Sequence, residues 1–238
     1  AVGSGGVWKT KNAGTTWMPL TDNMPFYSTG SITIDPNDSS RIWVGTGENV
    51  AGRHVGIGHG IYLSKDSGST WDDMGLNKSE HISKIIVHPD NSNIIWVASQ
   101  GPLWNSGGDR GLFMSTDGGN TWSNKLYVNE WTGVTDIIID PTNPDILYAA
   151  TWQRHRNVAS LIDGGPGTSI YKSIDGGNTW NEIDSGLPSS NMGKIGLAIS
   201  PMKPEVIYAA IELDRRSGAV FRSDNSCLLY TSDAADES

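Results

Sequence analysis

The chain has 238 residues, enough for one domain of ordinary size with a buried core. Its 26 acidic residues outnumber its 17 basic ones, which argues against a nucleic acid partner, because a surface that follows phosphates needs an excess of Lys and Arg. No apolar run approaches the roughly 18 residues of a membrane-spanning helix, and the single cysteine, Cys227, excludes an intrachain disulfide. No signal peptide is visible at Ala1, so either a leader was removed or the chain is an internal fragment.

A turn motif of the form Ser/Thr-x-Asp/Asn-x-Gly-x-Thr-Trp recurs along the chain at intervals of about 50 to 60 residues. Four complete copies are present, and a fifth copy breaks after Asn225. The complete copies span residues 10–17, 64–71, 115–122 and 173–180. A second motif alternates with the first and ends at Pro36, Pro89, Pro141 and Pro201. Two alternating turns in each unit indicate a repeat protein built from paired hairpins.

Short β-branched runs lie between these turns, for example over residues 83–87 and 135–139, and they are bounded by Pro, Asn, Asp and Gly. A sustained 3.6-residue periodicity is not visible, so helices are not expected. Repeats of this length with four strands each are typical of β-propellers. The sequence therefore predicts an all-β fold, a β-propeller of four-stranded antiparallel blades.

The repeat boundaries divide the chain into a propeller segment and a tail. The propeller segment is expected over 1–225, with three full blades at about 30–76, 82–128 and 133–184 and partial blades at 6–20 and 194–223. The tail, 226–238, loses the motif and is expected to be foreign to the fold.

An incomplete arc of a larger propeller is the expected architecture, with the remaining blades in a longer chain. A small ring closed by pairing of the chain's two ends is the alternative. An open arc leaves sheet faces and strand edges uncovered, so we expect the isolated chain to self-associate.

The four turns resemble the Asp-box, or bacterial neuraminidase, repeat. Longer phrases, such as Gly6-Val-Trp-Lys and Val44-Gly-Thr-Gly-Glu48, resemble the sortilin-like and glycosyl-hydrolase-like propellers of large bacterial exported proteins. This resemblance implies a propeller over about 1–225 and a periplasmic, cell-surface or secreted location. It does not imply one activity, because the Asp box occurs with many unrelated functions.

The recurring Asp-box residues are expected to be structural. Their spread around the ring should keep the carboxylates far apart, whereas the two carboxylates of a glycosidase lie roughly 5–10 Å apart. We expect the acid to tie the turn, the glycine to permit it and the tryptophan to pack on a neighbouring hairpin or blade. This structural set comprises Asn12, Trp17, Asp66, Gly68, Trp71, Asp117, Gly119, Trp122, Asp175, Gly177 and Trp180.

The connections between the second and third strands of each blade vary, while the other turns repeat, so we expect them to carry recognition. Mixed charge beside aromatic side chains suits a polar ligand, which we expect to be a peptide, a protein or a glycan. The candidate ligand-binding residues are Glu48, Arg53, His54, His59, Trp104, Asp109, Arg110, Trp152, Arg154, His155 and Arg156. The fourth connection holds Glu212, Asp214, Arg215 and Arg216. The alternative is that these loops are merely solvated or pack on neighbouring blades.

A complete catalytic set is not visible in the sequence. The pair His54 and His59 lacks a compelling third ligand, so neither a metal nor a cofactor is expected. A sialidase would need an arginine triad with a Tyr–Glu pair, and a xyloglucan-cleaving enzyme would need two facing aspartates. The weak catalytic candidates are Glu48, Asp109 and Asp214.

We therefore expect a non-catalytic propeller that binds a peptide, a protein or a glycan. The alternatives are a glycoside hydrolase of the sialidase or xyloglucan-cleaving type and an assembly or scaffold factor.

Overall fold

The structure of the protein, a computed structural model, describes residues 1, 3–50, 52, 54–183, 185–213, 217–226 and 230–231. Every regular element within these ranges is a strand, and the pairings are antiparallel. The same ranges hold no helix long and apolar enough to cross a membrane. The predicted all-β class is confirmed.

The described strands form one hairpin and four larger sheets. The first hairpin pairs β1 (Trp8–Lys9) with β2 (Met18–Pro19). Blade I contains β3 (Thr29–Asp35), β4 (Asp38–Thr46), β5 (Ile61–Ser64) and β6 (Asp72–Asp73). Blade II contains β7 (Ile82–His88), β8 (Asn91–Ser99), β9 (Gly111–Ser115) and β10 (Ser123–Leu126). Blade III contains β11 (Thr132–Ile139), β12 (Leu147–Arg156), β13 (Leu161–Asp163), β14 (Ile170–Ser173) and β15 (Asn181–Ile183). Blade IV contains β16 (Ile195–Ile199), β17 (Ile207–Leu213), β18 (Ser217–Ser223) and β19 (Tyr230–Thr231).

Blade IV reaches into the segment 226–238 that was expected to lie outside the fold. Strand β19 pairs with β18, and the Ser226 amide donates a hydrogen bond to the Glu205 carbonyl at 3.0 Å. A sheet that stopped at β18 would leave the outer backbone N–H and C=O groups of that strand unpaired. A segment of almost any sequence can pair with them, because the hydrogen bonds involve only the backbone. Part of the tail therefore completes a blade despite its lost motif. Cys227 lies outside the described residues.

The first strands of the blades lie side by side around a common axis, and polar contacts join them in sequence. The Thr33 hydroxyl donates to the Ile85 carbonyl at 2.7 Å, linking β3 to β7. The Ser83 hydroxyl donates to the Val134 carbonyl at 3.0 Å, and the Leu197 amide donates to Asp136 at 2.8 Å. Successive blades are therefore held in order from β3 to β16, as in a propeller.

The hydrophobic core lies between successive blades rather than inside any one of them. Trp43 and Leu63 of blade I pack with Ile85 and Phe113 of blade II, and equivalent clusters join the later blades. A single four-stranded sheet cannot bury both of its faces, so each blade depends on its neighbours for stability.

Each recurring turn is closed by the side chain of its own Asp or Asn. In the third copy, Asp117 accepts hydrogen bonds from the Thr121 hydroxyl, the Thr121 amide and the Ser115 hydroxyl at 2.6–2.9 Å. Asp66 and Asp175 accept the same three bonds in their own turns. Asn12 accepts the equivalent amide bond at 2.9 Å in the first turn. The four acceptors sit in separate turns, and each is occupied locally.

The glycine within each later turn, from Gly68 onwards, allows the turn to pack closely on the preceding unit. A Cβ atom placed on Gly119 would stand 2.6 Å from Cη2 of Trp43, and one on Gly177 would stand 2.5 Å from Nε1 of Trp96. Both glycines also have positive φ angles, near +90°, which favour glycine. Both the positive φ angle and the close contact between blades therefore require glycine at these two positions.

We predict that Gly119→Ala lowers the free energy of unfolding by about 2–4 kcal/mol, because the new methyl group combines overpacking against Trp43 with positive-φ strain. Gly107→Ala is the matched control, since Gly107 has a φ of +70° but nothing within 4 Å of its Cβ position. The control should cost only about 1–2 kcal/mol of left-handed strain. Urea denaturation of the three proteins measures both losses, and equal losses would contradict a tight interblade contact.

We predict that the turn carboxylates make the fold acid-sensitive. Hydrogen bonds from the Thr121 side chain, the Thr121 backbone and Ser115 lower the pKa of Asp117 from 3.8 to about 2. Because the folded-state pKa is depressed, its contribution is present above the unfolded pKa and is lost as the pH falls from about 4 towards 2. Asp117→Asn copies the first turn's Asn12 and should weaken the pH dependence of Tm over this range. Identical slopes in circular dichroism melts would contradict this role.

Candidate functional site

The variable loops meet at one edge of the sheets, opposite the recurring turns. We define the loop face as residues 47–60, 100–110 and 157–169 together with the chain that leads into β7, β11 and β16. Arg154, at the end of β12, joins two of these loops: its guanidinium donates to the Val50 carbonyl at 2.9 Å and the Gly101 carbonyl at 3.3 Å. Loops from blades I and II therefore converge on a residue of blade III.

Arg110 holds the second loop together and is fully buried. Its guanidinium donates to the backbone carbonyls of Gln100, Pro102, Asn105, Gly107 and Trp131. A guanidinium has five N–H donors, so this set uses its whole capacity. Burial lowers the pKa of Arg110 to about 10. The sequence predicts that Arg110 binds a ligand, but in the structure its side chain is enclosed by its own loop.

Asn49 links the loops of three blades. Lys194, which leads into β16, donates through Nζ to the Asn49 backbone carbonyl at 2.6 Å and its side-chain oxygen at 2.8 Å. The Gln100 side-chain amide donates to the same side-chain oxygen. The ring of His81 donates through Nδ1 to the Glu48 carbonyl at 3.0 Å, and burial lowers the pKa of His81 to about 3, so the imidazole is neutral at ordinary pH. This network of hydrogen bonds holds the loops of the three blades together on the inner side of the loop face.

Two cationic groups lie over the ring of Trp152. The Arg154 guanidinium lies 5.0 Å and Lys194 Nζ 5.2 Å from the Trp152 ring centroid. Burial lowers the pKa of Arg154 to about 9 and that of Lys194 to about 8. Trp152 and Arg154 are fully buried, so the prediction that they contact a ligand differs from their positions. Both residues support the loop face from below.

The side chain of Glu212 and the backbone of Asp163 both come close to Gly193 on the loop face. A Cβ atom on Gly193 would lie 2.9 Å from Glu212 Oε2 and 3.0 Å from the backbone carbonyl oxygen of Asp163. Burial and then the charge of Glu212 raise the pKa of Asp163, while Arg154 and Lys194 oppose the rise. Asp163 is half-buried, whereas Glu212 is exposed. A half-buried carboxyl group with a raised pKa and an exposed glutamate therefore lie in the same part of the loop face.

Two predicted carboxylates have structural partners instead. Glu48 accepts hydrogen bonds from the Gly56 amide at 3.1 Å and from the Ser4 hydroxyl. Asp109 accepts a bond from the Lys78 amide at 3.0 Å. Neither lies with the Asp163 and Glu212 pair among the contacts described above.

Several predicted binding residues do reach the surface. Trp104 is 39% exposed, and His54 and His59 are exposed in the first loop. The ring of His155 is half-buried, 4.1 Å from the ring of Trp131, and the Arg156 amide donates to the Leu103 carbonyl. The loop face therefore presents exposed or half-buried rings from all three of its variable loops or the strands beside them.

Arg53, Asp214, Arg215 and Arg216 lie outside the described residues. Among the residues that are described, no group of three or more His, Cys, Asp or Glu side chains is arranged to hold a metal ion.

Lys194 and Asp163 were missed by the sequence predictions, although signals for both exist. Counting back seven residues from the proline of each blade places Lys194 where Ile82 and Val134 stand, so a charge replaces an aliphatic residue. Asp163 lies inside the third variable loop, but the short strand β13 that positions it was not expected.

Comparisons with known proteins agree on the fold and point to carbohydrate enzymes. The xyloglucanase Xgh74A of Acetivibrio thermocellus is 28% identical over 204 residues, which cover 75% of this chain and 23% of the relative. A probable oligoxyloglucan-reducing end-specific xyloglucanase of Neosartorya fischeri is 25% identical over 187 residues, covering 70% and 20% of the two chains. The chain thus spans about a fifth of the length of these curated relatives.

The crystal structure of an ancestral GH74 enzyme superposes with a TM-score of 0.70 at 21% identity, covering 98% of this chain and 29% of that one. This likeness supports the propeller fold. The predicted non-catalytic binding function is contradicted by the curated relatives, because both are named as xyloglucanases and favour the glycoside hydrolase alternative.

A family model named Sortilin-Vps10, described as sortilin, neurotensin receptor 3, matches residues 5–126. The match covers 122 of the 238 residues, just over half of the chain. The chain therefore belongs to the Sortilin-Vps10 family of propellers.

Proposed function

We propose that this chain forms part of the substrate-binding and catalytic face of a glycoside hydrolase that cleaves xyloglucan or a related neutral polysaccharide. The observation that carries the proposal is the acidic pair on the loop face, Asp163 and Glu212, in which one carboxyl has a raised pKa. The named activity of the curated relatives supports the same reaction class.

Hydrolysis of a glycosidic bond needs a carboxylic acid that protonates the leaving oxygen and a carboxylate that acts as base or nucleophile. Asp163 suits the first role, because its burial and the charge of Glu212 favour the protonated form. Glu212 suits the second role, because it is exposed at the end of β17. The two carboxyl groups therefore lie in different environments, since Asp163 is half-buried and Glu212 is exposed. In such enzymes a difference of this kind lets one carboxyl act as the acid and the other as the base.

A neutral substrate fits the charges of the loop face better than an acidic one. All five donors of Arg110 are used by backbone carbonyls, and Arg154 is fully buried beneath Trp152. A sialidase-type site would instead need exposed arginines that grip the substrate's carboxylate. Lys194 also points its ammonium group at Asn49. Among the described residues, Arg110, Arg154 and Lys194 therefore bind other parts of the loops. The groups that remain available to a substrate are carboxyl groups and aromatic rings.

Aromatic rings supply the remaining contacts in this proposal. The exposed Trp104 presents a face on which the C–H surface of a sugar can stack, and the Trp131–His155 ring pair offers a second platform. We also propose that the recurring turns are Asp-box repeats and that the protein is exported, since a polysaccharide of this size is met outside the cell.

We predict that Asp163→Asn reduces the rate of xyloglucan hydrolysis by about 10²–10⁴-fold, the usual contribution of a general acid. Activity should fall as the pH rises through the raised pKa of Asp163, because the acid form is then lost. Lys194→Met removes a charge that lowers this pKa, so the alkaline limb should move to higher pH.

Release of reducing ends, measured as a function of pH, tests these three statements. Asp109→Asn is the matched control, because Asp109 only accepts a bond from the Lys78 amide. Wild-type kcat in Asp163→Asn would refute the assigned acid.

We predict that Trp104→Ala weakens xyloglucan binding by the value of one stacked ring, about 0.5–1.5 kcal/mol beyond the area lost. Affinity electrophoresis of the chain in gels with xyloglucan, and in gels with a uronic acid polymer, measures this effect. Trp17→Ala is the control, because Trp17 is also exposed but lies in a recurring turn at the opposite edge. Stronger retardation by the acidic polymer would contradict the neutral substrate.

A further inference from the structure

The segment that leads into β7, residues 78–81, is held between two variable loops of the loop face. The Gly58 amide of the first loop donates to the Glu80 carbonyl at 2.8 Å. The Gln100 amide at the start of the second loop donates to the His81 carbonyl at 2.9 Å. Both loops therefore fix the backbone of this segment.

Glu80 has a backbone conformation that disfavours any residue with a side chain. Its φ angle is +65°, in the left-handed region that glycine adopts without strain. The first loop packs directly on this peptide, since a Cβ atom on Gly47 would lie 1.9 Å from the Glu80 carbonyl oxygen. Strained positions of this kind are concentrated at functional sites. The fold alone would be served as well by glycine here, so the glutamate side chain needs a reason outside the fold.

The carboxyl group of Glu80 does not hold the fold together. It is half-buried, yet within the described part of the chain it accepts no hydrogen bond and forms no ion pair. Glu48 and Asp109, on the neighbouring loops, instead accept hydrogen bonds from backbone amides. An ionised carboxylate has about four acceptor positions, so Glu80 keeps its whole accepting capacity for another molecule.

Two buried arginines favour the charged form of Glu80 without occupying its oxygens. Burial raises the pKa of Glu80, while the charges of Arg110 and Arg154 oppose that rise. All five donors of Arg110 bind backbone carbonyls, so it acts on Glu80 through its electric field. Burial and Arg110 lower the pKa of Arg154, while the charges of Asp163 and Glu80 raise it. Glu80 and Asp163 therefore lie within electrostatic reach of the same guanidinium.

We propose that Glu80 binds hydroxyl groups of a sugar unit of the neutral polysaccharide, as a specificity-determining residue of the loop face. Two neighbouring hydroxyls of one sugar ring can donate to the two carboxylate oxygens, and the fixed backbone holds those oxygens in place. A sugar without these hydroxyls would leave a half-buried carboxylate unpaired, which is how a polar site rejects an analogue. The inference rests on the proposed function for the ligand class, and it gives Glu80 a role in binding rather than in proton transfer.

This role predicts that sugar binding weakens in acid. Both oxygens accept hydrogen bonds only in the ionised form, and burial raises the pKa of Glu80, so the loss should begin above the usual range of a glutamate. Hydrolysis through Asp163 fails in the opposite direction, as the pH rises. Other described titratable groups on this segment and its neighbours are Glu48, His54, His59, Lys78, His81, Asp109, Arg110 and Arg154. A substitution at Glu80 separates its titration from theirs.

Calorimetric titration of the chain with xyloglucan at a series of pH values tests this role, with Asp163→Asn as the parent so that substrate is not consumed. Adding Glu80→Gln keeps the shape of the side chain but removes its charge. Affinity at neutral pH should fall about 10- to 100-fold, the value of a charged hydrogen-bonding group, and the weakening in acid should disappear.

Glu130→Gln is the matched control. Burial lowers the pKa of Arg110, and the charges of Tyr127, Glu80 and Glu130 oppose that shift, so Glu130 lies in the field of the same arginine. Glu130 is exposed, and this control should bind xyloglucan like the parent. An equal loss of affinity in Glu130→Gln would assign the effect to the general charge of the loop face and overturn the inference.

Glu80→Gly tests why a glutamate stands at a position that suits glycine. Glycine relieves the left-handed strain, so Tm should be no lower than in Glu80→Gln, while affinity should be lost to the same extent. Circular dichroism melts of the parent and both variants measure this. A clearly lower Tm in both variants than in the parent would assign Glu80 to the fold instead.

The outcomes separate this inference from the hydrolase proposal. Unchanged affinity and an unchanged pH profile in Glu80→Gln, with xyloglucan still cleaved by the wild-type chain, would overturn the role of Glu80 alone. Binding that depends on Glu80, without release of reducing ends by the wild-type chain, would overturn the hydrolase and retain the sugar-binding carboxylate. A chain that binds no xyloglucan at any pH would overturn both.

Discussion

The contact between a turn and the aromatic residue of the preceding blade governs the rest of this structure. Gly119 lies against Trp43, and the equivalent turns cover Trp96 and Tyr148. Each recurring turn is closed by hydrogen bonds to its own Asp or Asn side chain, such as Asp117, so the shape of the turn does not depend on the neighbouring blade. Because a blade buries its faces only through such joints, stability spreads from neighbour to neighbour, as in other repeat proteins.

The contacts between turns and aromatic residues lie at one edge of the sheets, so the loops at the opposite edge can vary in length and sequence. The loops there are longer and lack a repeated turn, so other groups must satisfy their backbone carbonyls. Arg110 does this for the second loop, and Arg154 ties together loops from two blades. Burying a guanidinium costs desolvation energy, and for Arg110 five hydrogen bonds to backbone carbonyls offset that cost. The loop face therefore keeps a defined shape, in which the Glu212 side chain and the Asp163 backbone both approach Gly193.

The repeat could be predicted from the sequence because local interactions determine it. Alternating apolar strands, turn residues with positive φ and a tryptophan at fixed spacing all act within about ten residues, and they predicted the all-β propeller. The loop face was only partly readable. Arg110, Trp152 and Arg154 look like ligand contacts in the sequence, but they are buried because chain from other blades folds over them. The tail also pairs as β19, because an open strand edge imposes little sequence requirement.

The sequence by itself determined the class of fold and the edge at which variation is allowed, since these follow from short-range periodicity and turn chemistry. Only the tertiary structure decided which charged residues are structural and which carboxyl has a raised pKa. Asp163, Lys194 and Glu212 come from different segments, and the electrostatic environment of each depends on burial and on neighbours distant in sequence. Such environments arise from packing, which no local pattern encodes.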